Sequence, residues 1–303
     1  MDRREFLRKS AALGLGAASL LLPGWWGRVF AGTGGEPVLA AVRGGEPGDM
    51  FDRGVAALGG IGRFVGKGQT VVVKPNIGWD VIPERGADTN PSLVGRIVRR
   101  CLDVGASRVY AFDHTCDLWK NCYKNSGIEA SVKEAGGIAA PADASGYFQK
   151  VSLPGSRMLK EASVHELLLE CDVFINVPVL KHHGGAGLTM GLKNLMGTVW
   201  DRGELHSRGL HQCIADLALF RRPDLTVIDA YRVMTRNGPR GTGEGDVSVM
   251  KAQILSTDIV AGDAAGAKIF GIEPGRVPHL AAAAEMGLGS MDLGSLNIQR
   301  ISL

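Results

Sequence analysis

The amino-acid sequence predicts an α/β protein: a mostly parallel sheet flanked by helices in Rossmann-like layers, preceded by an N-terminal Tat signal. Three observations carry this. From residue 37 onward, short apolar runs alternate with longer amphipathic stretches, the pattern of β-α-β units joined by right-handed crossovers. The β-branched run Thr70–Val73 and the core run Asp172–Val177 offer no repeating polar face, as strands covered on both sides require. Polar and charged residues collect just after such runs, where open parallel sheets bind their ligands.

Taken in order, Val38–Val42 reads as the first strand. Asp49–Val65 reads as a helix because Phe51, Val55, Leu58 and Ile61 recur at helical spacing. Gly66-Lys67-Gly68 turns the chain into the Thr70–Val73 strand. Asn90-Pro91 opens a helix with a capping Asn and a Pro at the first helical position. Leu93, Val94, Ile97, Val98, Cys101 and Leu102 form its apolar stripe, and Gly105 ends it. Arg108–Asp113 is the next strand, followed by short helices near Leu118–Asn125 and Glu129–Glu134. The Gly/Pro/Ser-rich region 136–156 reads as a hinge or insertion within a domain spanning 32–303. Ser163–Glu170 reads as helix, Asp172–Val177 as a core strand, and Leu188–Met196 and Leu210–Phe220 as helices. Leu225–Asp229 and Ala252–Leu255 are strands, Asp258–Phe270 and Pro278–Met286 helices, and Leu296–Ile301 a last strand. Between them, Tyr231–Asp246 has Gly at 238, 241, 243 and 245 and no regular pattern, so it reads as a lid or binding loop.

The chain has 303 residues, with 34 Lys+Arg against 31 Asp+Glu. Residues 1–31 hold Arg3, Arg4, Arg8, Lys9 and Arg28 against Asp2 and Glu5, so the remaining body carries 29 residues of each sign. A neutral body has no bulk attraction for a phosphate backbone, which argues against a nucleic-acid partner. Glycine, at 43 residues, is roughly twice its usual share, as tight turns or backbone brought close to a ligand would require. The first 31 residues read as a Tat signal peptide. Arg3-Arg4 precede an apolar run, Ala11 to Leu22, and Val29-Phe30-Ala31 is a small-residue end suited to cleavage. The implied route is the Tat translocase, and the implied location periplasmic or otherwise extracytoplasmic. An uncleaved signal would tether the protein through Trp25 and Trp26, its one expected contact with a membrane.

Five cysteines, Cys101, Cys116, Cys122, Cys171 and Cys213, contain no C-x-x-C pair. An iron–sulfur cluster of its own is therefore not expected. Cys116 and Cys122 are a possible disulfide in an oxidising compartment.

The candidate chemistry lies after the strands. Lys74 and Asn76 follow the second. Asp113, His114 and Cys116 follow the third and are the donors at hand if a metal binds, though no metal motif stands in the sequence. The stretch Val177 to Val199 carries Lys181, His182 and His183, then Gly184-Gly185 leading into a helix expected near Leu188. Thr189 would lie in its first turn, with Lys193 and Asn194 further on. Free N–H groups at such a helix start, next to a lysine, form an anion cradle. His182 and His183 are adjacent, so only one can face a site in an extended segment. We assign proton transfer to His182 and Asp229, with Lys181 as the reactive group if burial lowers its pKa. Lys74, Asn76, Thr189, Lys193, Asn194 and Arg240 would hold the ligand, a small molecule bearing phosphate or carboxylate. Asp258 and Asp263 lie on one helix, Asp258 as a cap.

At these residues the sequence resembles the proteins named domain of unknown function 362. The resemblance is carried by Lys74-Pro75-Asn76, by NVPVLKHH (Asn176 to His183), by GLTMGLKNLMG (Gly187 to Gly197) and by STDIVAGDAAG (Ser256 to Gly266). It covers most of 38–271. It implies no agreed activity. Some members carry a ferredoxin-like cysteine module, which this sequence lacks. Two alternatives to an anion-binding protein or enzyme follow: a non-catalytic accessory or maturation protein for an exported redox partner, favoured by an apolar patch around Trp79, Trp119 or Trp200, and a metal-dependent hydrolase.

Overall fold

A computed structural model describes residues 38–303. The Tat signal and its two tryptophans lie outside the described residues. Among those described, no helix is long and apolar enough to cross a membrane.

Ten strands form one mixed sheet in the order β12-β1-β11-β10-β7-β2-β3-β4, with β8 paired to β10 and β9. The strands are β1 (Leu39–Arg43), β2 (Thr70–Pro75), β3 (Arg108–Ala111), β4 (Ile138–Ala139), β7 (Val173–Val177), β8 (Val179–His183), β9 (Gly187–Thr189), β10 (Leu225–Met234), β11 (Val247–Ser256) and β12 (Ile298–Ser302). β10, β7, β2, β3 and β4 run parallel, and β11 is antiparallel to both β10 and β1. Helices cover both faces. One face buries α1 (Pro47–Ala57), α2 (Pro91–Asp103) and α4 (Ile128–Glu134), with Phe51, Leu93, Ile97 and Val132 against Val71 and Val73. The other buries α8 (Leu210–Leu217), α9 (Ile259–Phe270) and α10 (Pro278–Glu285), with Ile214, Val260 and Leu280 against Val72, Phe174 and Ile228. The largely parallel, helix-covered architecture is that read from the sequence.

Local chemistry explains the boundaries. The Asn90 side chain accepts from Ser92 N at 3.0 Å, and Pro91 opens α2. Asp258 caps α9 through Val260 N and Ala261 N, and Gly271 ends it with φ +85, a conformation that glycine takes without steric cost.

Several elements differ from the sequence reading. The Asp49–Val65 helix stops at Ala57, and after Gly59-Gly60, with φ +98 and +84, a short 3-10 turn covers Ile61–Arg63. Ser163–Glu170 is not one helix. Strand β6 (Glu161–His165) precedes α5 (Glu166–Glu170), and β6 pairs antiparallel with β5 (Phe148–Ser152) as a separate hairpin. Region 136–156 thus supplies the edge strand β4 and the first arm of that hairpin. Val179–His183, to which the sequence reading assigned no element, is a strand, because Pro178 breaks one extended path into β7 and β8, both of which pair with β10. Leu188–Met196 is not a continuous helix either: β9 ends at Thr189 and α6 (Gly191–Asn194) is four residues long. The Tyr231–Asp246 loop is shorter than its sequence suggests, since β10 runs to Met234 and β11 begins at Val247. What remains of it is tied down by Asp246, whose carboxylate accepts from Thr242 N, Thr242 Oγ1, Asn237 Nδ2 and Arg236 Nε. Cys116 and Cys122 are free thiols, not a disulfide.

Candidate functional site

The ends of β2 and β3, the β8–β9 hairpin, α6 and α7 (Arg202–Ser207) enclose a cavity of about 410 Å³. That is within the range of small-molecule sites, about 300–1,000 Å³. Its wall carries Lys181, Lys193 and Arg202 as cations, His183 and His206, and one carboxylate, Asp113.

Beneath this wall lies a buried polar knot. Lys74 is fully buried, and its Nζ meets Asp113 Oδ1 at 2.8 Å, Asn194 Oδ1 at 3.1 Å and Pro75 O at 2.7 Å. An ammonium has three donors, and these partners use all of them. Burial lowers the Lys74 pKa, and the Asp113 charge opposes the shift. Asp113 Oδ2 also accepts from Ile77 N at 2.7 Å. Asn194 donates to Lys74 O at 3.1 Å and to Asn176 Oδ1 at 2.8 Å. Lys74 is therefore a strut that neutralises the cavity's one carboxylate, not the ligand-holding lysine expected from sequence. Asn194 touches the cavity but spends its amide on the same strut.

Lys181 stands differently. It is buried, and its Nζ donates to Asn76 Oδ1 at 2.8 Å and to Ala87 O. Two of its three donors are used, and the side chain lines the cavity. Burial lowers its pKa to about 8 against the pull of Asp88. Asp88 accepts from Gly78 N and Trp79 N, and burial raises its pKa to about 7 against the pull of Lys181. Through those two N–H groups Asp88 fixes the loop after β2 over the strand ends. Lys193 also lines the cavity, with burial, opposed by Cys116 and aided by Lys181, Arg202 and Lys74, bringing its pKa to about 8.

Of the two histidines, the structure turns His183 to the cavity, not His182. Residues 181 and 183 share a face of β8 because side chains alternate along a strand. His182 points away, its Nδ1 accepting from Gly238 N at 3.1 Å. His183 Nδ1 accepts from Gly185 N and Ala186 N, both at 3.2 Å, so in the neutral ring Nε2 carries the proton. Burial, with Lys193 and Lys181 close by, lowers its pKa to about 3. It is a neutral donor, unsuited to the proton-transfer role we assigned to its neighbour.

The helix-start cradle is also corrected. The first free N–H groups of α6, Gly191 N and Leu192 N, are both taken by the buried Asp263 carboxylate, at 2.6 and 3.0 Å. Thr189 lies in β9, with a buried hydroxyl that lines the cavity and has no partner among the described residues. Asn76 lines the cavity and its Oδ1 accepts from Lys181. Arg240 is not on the wall. It lies half exposed, 3.5 Å from Asp117.

Asp229, expected to move protons, is a structural clamp instead. Its carboxylate accepts from Asn90 N at 2.8 Å and Tyr231 N at 3.0 Å, away from the cavity wall. Burial raises its pKa to about 6, opposed by those two N–H groups. A carboxyl whose folded pKa exceeds its unfolded value contributes stability below about pH 4 and loses it as pH rises through about 6. In unfolding titrations, the stability of the parent relative to Asp229→Asn should therefore fall by on the order of 2–3 kcal/mol between pH 4 and pH 7. A difference that stays level over that range contradicts the assignment.

The suggested metal donors do not converge. His114 bonds Val199 O through Nδ1 at 2.9 Å and stacks on Trp200 with ring centroids 4.8 Å apart. Asp113 is spent on Lys74, and Cys116 lies 3.4 Å from Arg202 Nη1. Among the described residues, no group of three His, Cys, Asp or Glu side chains is placed to hold an ion. Trp79 lines the cavity, Trp119 packs edge-on to Tyr123, and Trp200 stacks inward, so these three do not form an exposed apolar patch. Sequence reasoning missed Arg202 and His206. Both sit on the short helix α7, whose only sequence signal was two polar residues beside Gly203.

A thylakoid-associated protein of Synechocystis sp. is 27% identical over 247 residues, covering 76% of this chain and 72% of that one. Two solved structures align at 12% identity. The lactate racemase apoprotein from Thermoanaerobacterium thermosaccharolyticum does so with a TM-score of 0.41 over 76% of this chain and 56% of its own. A Thermotoga maritima protein does so with a TM-score of 0.37 over 61% of this chain and 51% of its own. The chain thus spans about half the length of each. Residues 71–268 match the family described as Domain of unknown function (DUF362), and the chain belongs to that family.

Proposed function

We propose that this protein binds a small molecule bearing a phosphate or carboxylate group in the cavity at the strand ends. The observation that supports it most is the charge balance of the wall: Lys181, Lys193 and Arg202 against one carboxylate that Lys74 already neutralises. Unneutralised cations in a concave, partly desolvated site are stabilised by an anion. The Thr189 hydroxyl, buried and without a partner among the described residues, adds a neutral donor at the same wall. In this reading Lys181, Lys193 and Arg202 hold the anion, and His183 and Thr189 orient the rest. The proposal includes export, because residues 1–31 have the Tat layout. The accessory reading lacks a comparable observation, since the tryptophans that would have carried it are packed.

Thermal-shift measurement with inorganic phosphate, small carboxylates and their neutral amide or alcohol analogues tests the reading. A ligand at 100 times its Kd should add about 2.7 kcal/mol of stability. The gain should appear for anions only and weaken with added salt. Equal response to the neutral analogues, or none to any anion, overturns it.

A further inference from the structure

We propose that Lys193 is a nucleophilic amine that forms an imine with the carbonyl group of the anionic ligand, so that the ligand class is a small oxo acid or phosphorylated carbonyl compound. This rests on the anion-site reading above and extends it from binding to chemistry. Among the described residues, Lys193 is the one amine or guanidinium of the cavity without a hydrogen bond or ion pair. Lys181 is held by Asn76 and Ala87, and Arg202 by Thr115 O and Cys116. Lys74, below the wall, is spent on Asp113, Asn194 and Pro75. Lys193 is thus free to reach a ligand atom without breaking a contact. Its neighbours on the chain fix the direction: Leu192 is buried in the core and Asn194 turns inward to the Lys74 strut, which leaves residue 193 for the cavity.

The surroundings suit amine attack. Burial disfavours the charged amine most, Cys116 opposes the shift, and Lys181, Arg202 and Lys74 add like charge. At pH 8 about half of such an amine is neutral, against roughly 0.4% of an ordinary lysine with pKa near 10.4. The neutral form is the nucleophile. The same cations that discourage the Lys193 ammonium attract the ligand's anionic group and seat its carbonyl beside the amine. In the step itself, the Nζ lone pair forms a bond to the carbonyl carbon and the π pair moves to oxygen. Nζ gives up a proton and oxygen gains one. The C–O bond then breaks as that oxygen takes a second proton and leaves as water, giving C=N. Lys181, an ammonium with one donor unspent, is placed to supply that second proton and to recover one from the amine, so no oxidant or reductant enters.

Full-length protein is incubated with pyruvate or with D-glyceraldehyde 3-phosphate, reduced with borohydride, digested and mapped by mass spectrometry. The result expected is a secondary-amine adduct on Lys193 with at least one of the two probes, at least tenfold above that on the exposed Lys120. The probe that labels distinguishes a carboxylate carrier from a phosphate carrier. Lys193→Arg and Lys193→Met should lose the adduct at least tenfold. Labelling spread over surface lysines, or confined to Lys181, overturns the proposal in the parent protein alone, whatever the variants do. No adduct together with a phosphate shift refutes the imine and leaves the anion site standing. No adduct and no shift removes both.

Discussion

Gly197→Ala should destabilise the protein by about 3–5 kcal/mol and abolish its response to anions. A Cβ at this position would stand 1.7 Å from Asp113 Oδ1, 2.7 Å from Lys74 Nζ and 2.8 Å from Lys74 Cε. Neither partner can retreat. Lys74 is fully buried with three fixed acceptors, and Asp113 is held by Ile77 N. One methyl group therefore separates a buried ion pair, and breaking such a pair while leaving its charges in place costs about that much. The glycine is required by close approach and not by backbone conformation, since it is not among the positive-φ glycines. Gly203→Ala provides the comparison, because its Cβ would meet nothing within 4 Å and substitutions at such positions stay within about 0.5 kcal/mol of neutral. Urea unfolding of both variants measures the difference. Equal midpoints would mean that the Lys74–Asp113 strut is not the support we assign.

Lys181→Met should weaken anion binding by about 10- to 150-fold, the equivalent of one charge-assisted hydrogen bond of roughly 1.5–3 kcal/mol. Methionine keeps the volume and the apolar stem and removes the donor aimed at the cavity. It also removes the counter-charge of Asp88, so the variant's folding is checked by circular dichroism before calorimetric titration. The Kd should rise, and its dependence on ionic strength should become shallower because one of the three wall cations is gone. An unchanged Kd on folded protein would place the anion elsewhere.

The layered fold was legible because its strands are apolar on both faces, as at Val71–Val73 and Val173–Ile175. The site's location followed from the same pattern, since what comes after a parallel strand lies at its carboxyl end. Its internal order was not legible. Lys74 and Lys181 look alike in sequence, each after a core strand, yet one is spent on Asp113 and the other keeps a donor for the cavity. That distinction depends on Asp113 and Asn194, which are 39 and 120 positions from Lys74. The choice of His182 over His183 failed because alternation says that only one of the two faces the site, not which one; the same alternation sets Lys181 and His183 on one face. The anion cradle at Thr189 failed for a longer-range reason: the N–H groups expected to be free are met by Asp263, 72 residues from Gly191. Asp258, by contrast, was read correctly as a cap because capping is local.

The most direct test is to locate an anion. A crystal of the protein soaked in selenate and measured at the selenium edge should show an anomalous peak inside the cavity, within hydrogen-bond reach of Lys193 Nζ and the Arg202 guanidinium, and competed away by phosphate. A peak confined to the outer surface, with the cavity empty at a selenate concentration that stabilises the protein in solution, would contradict the account.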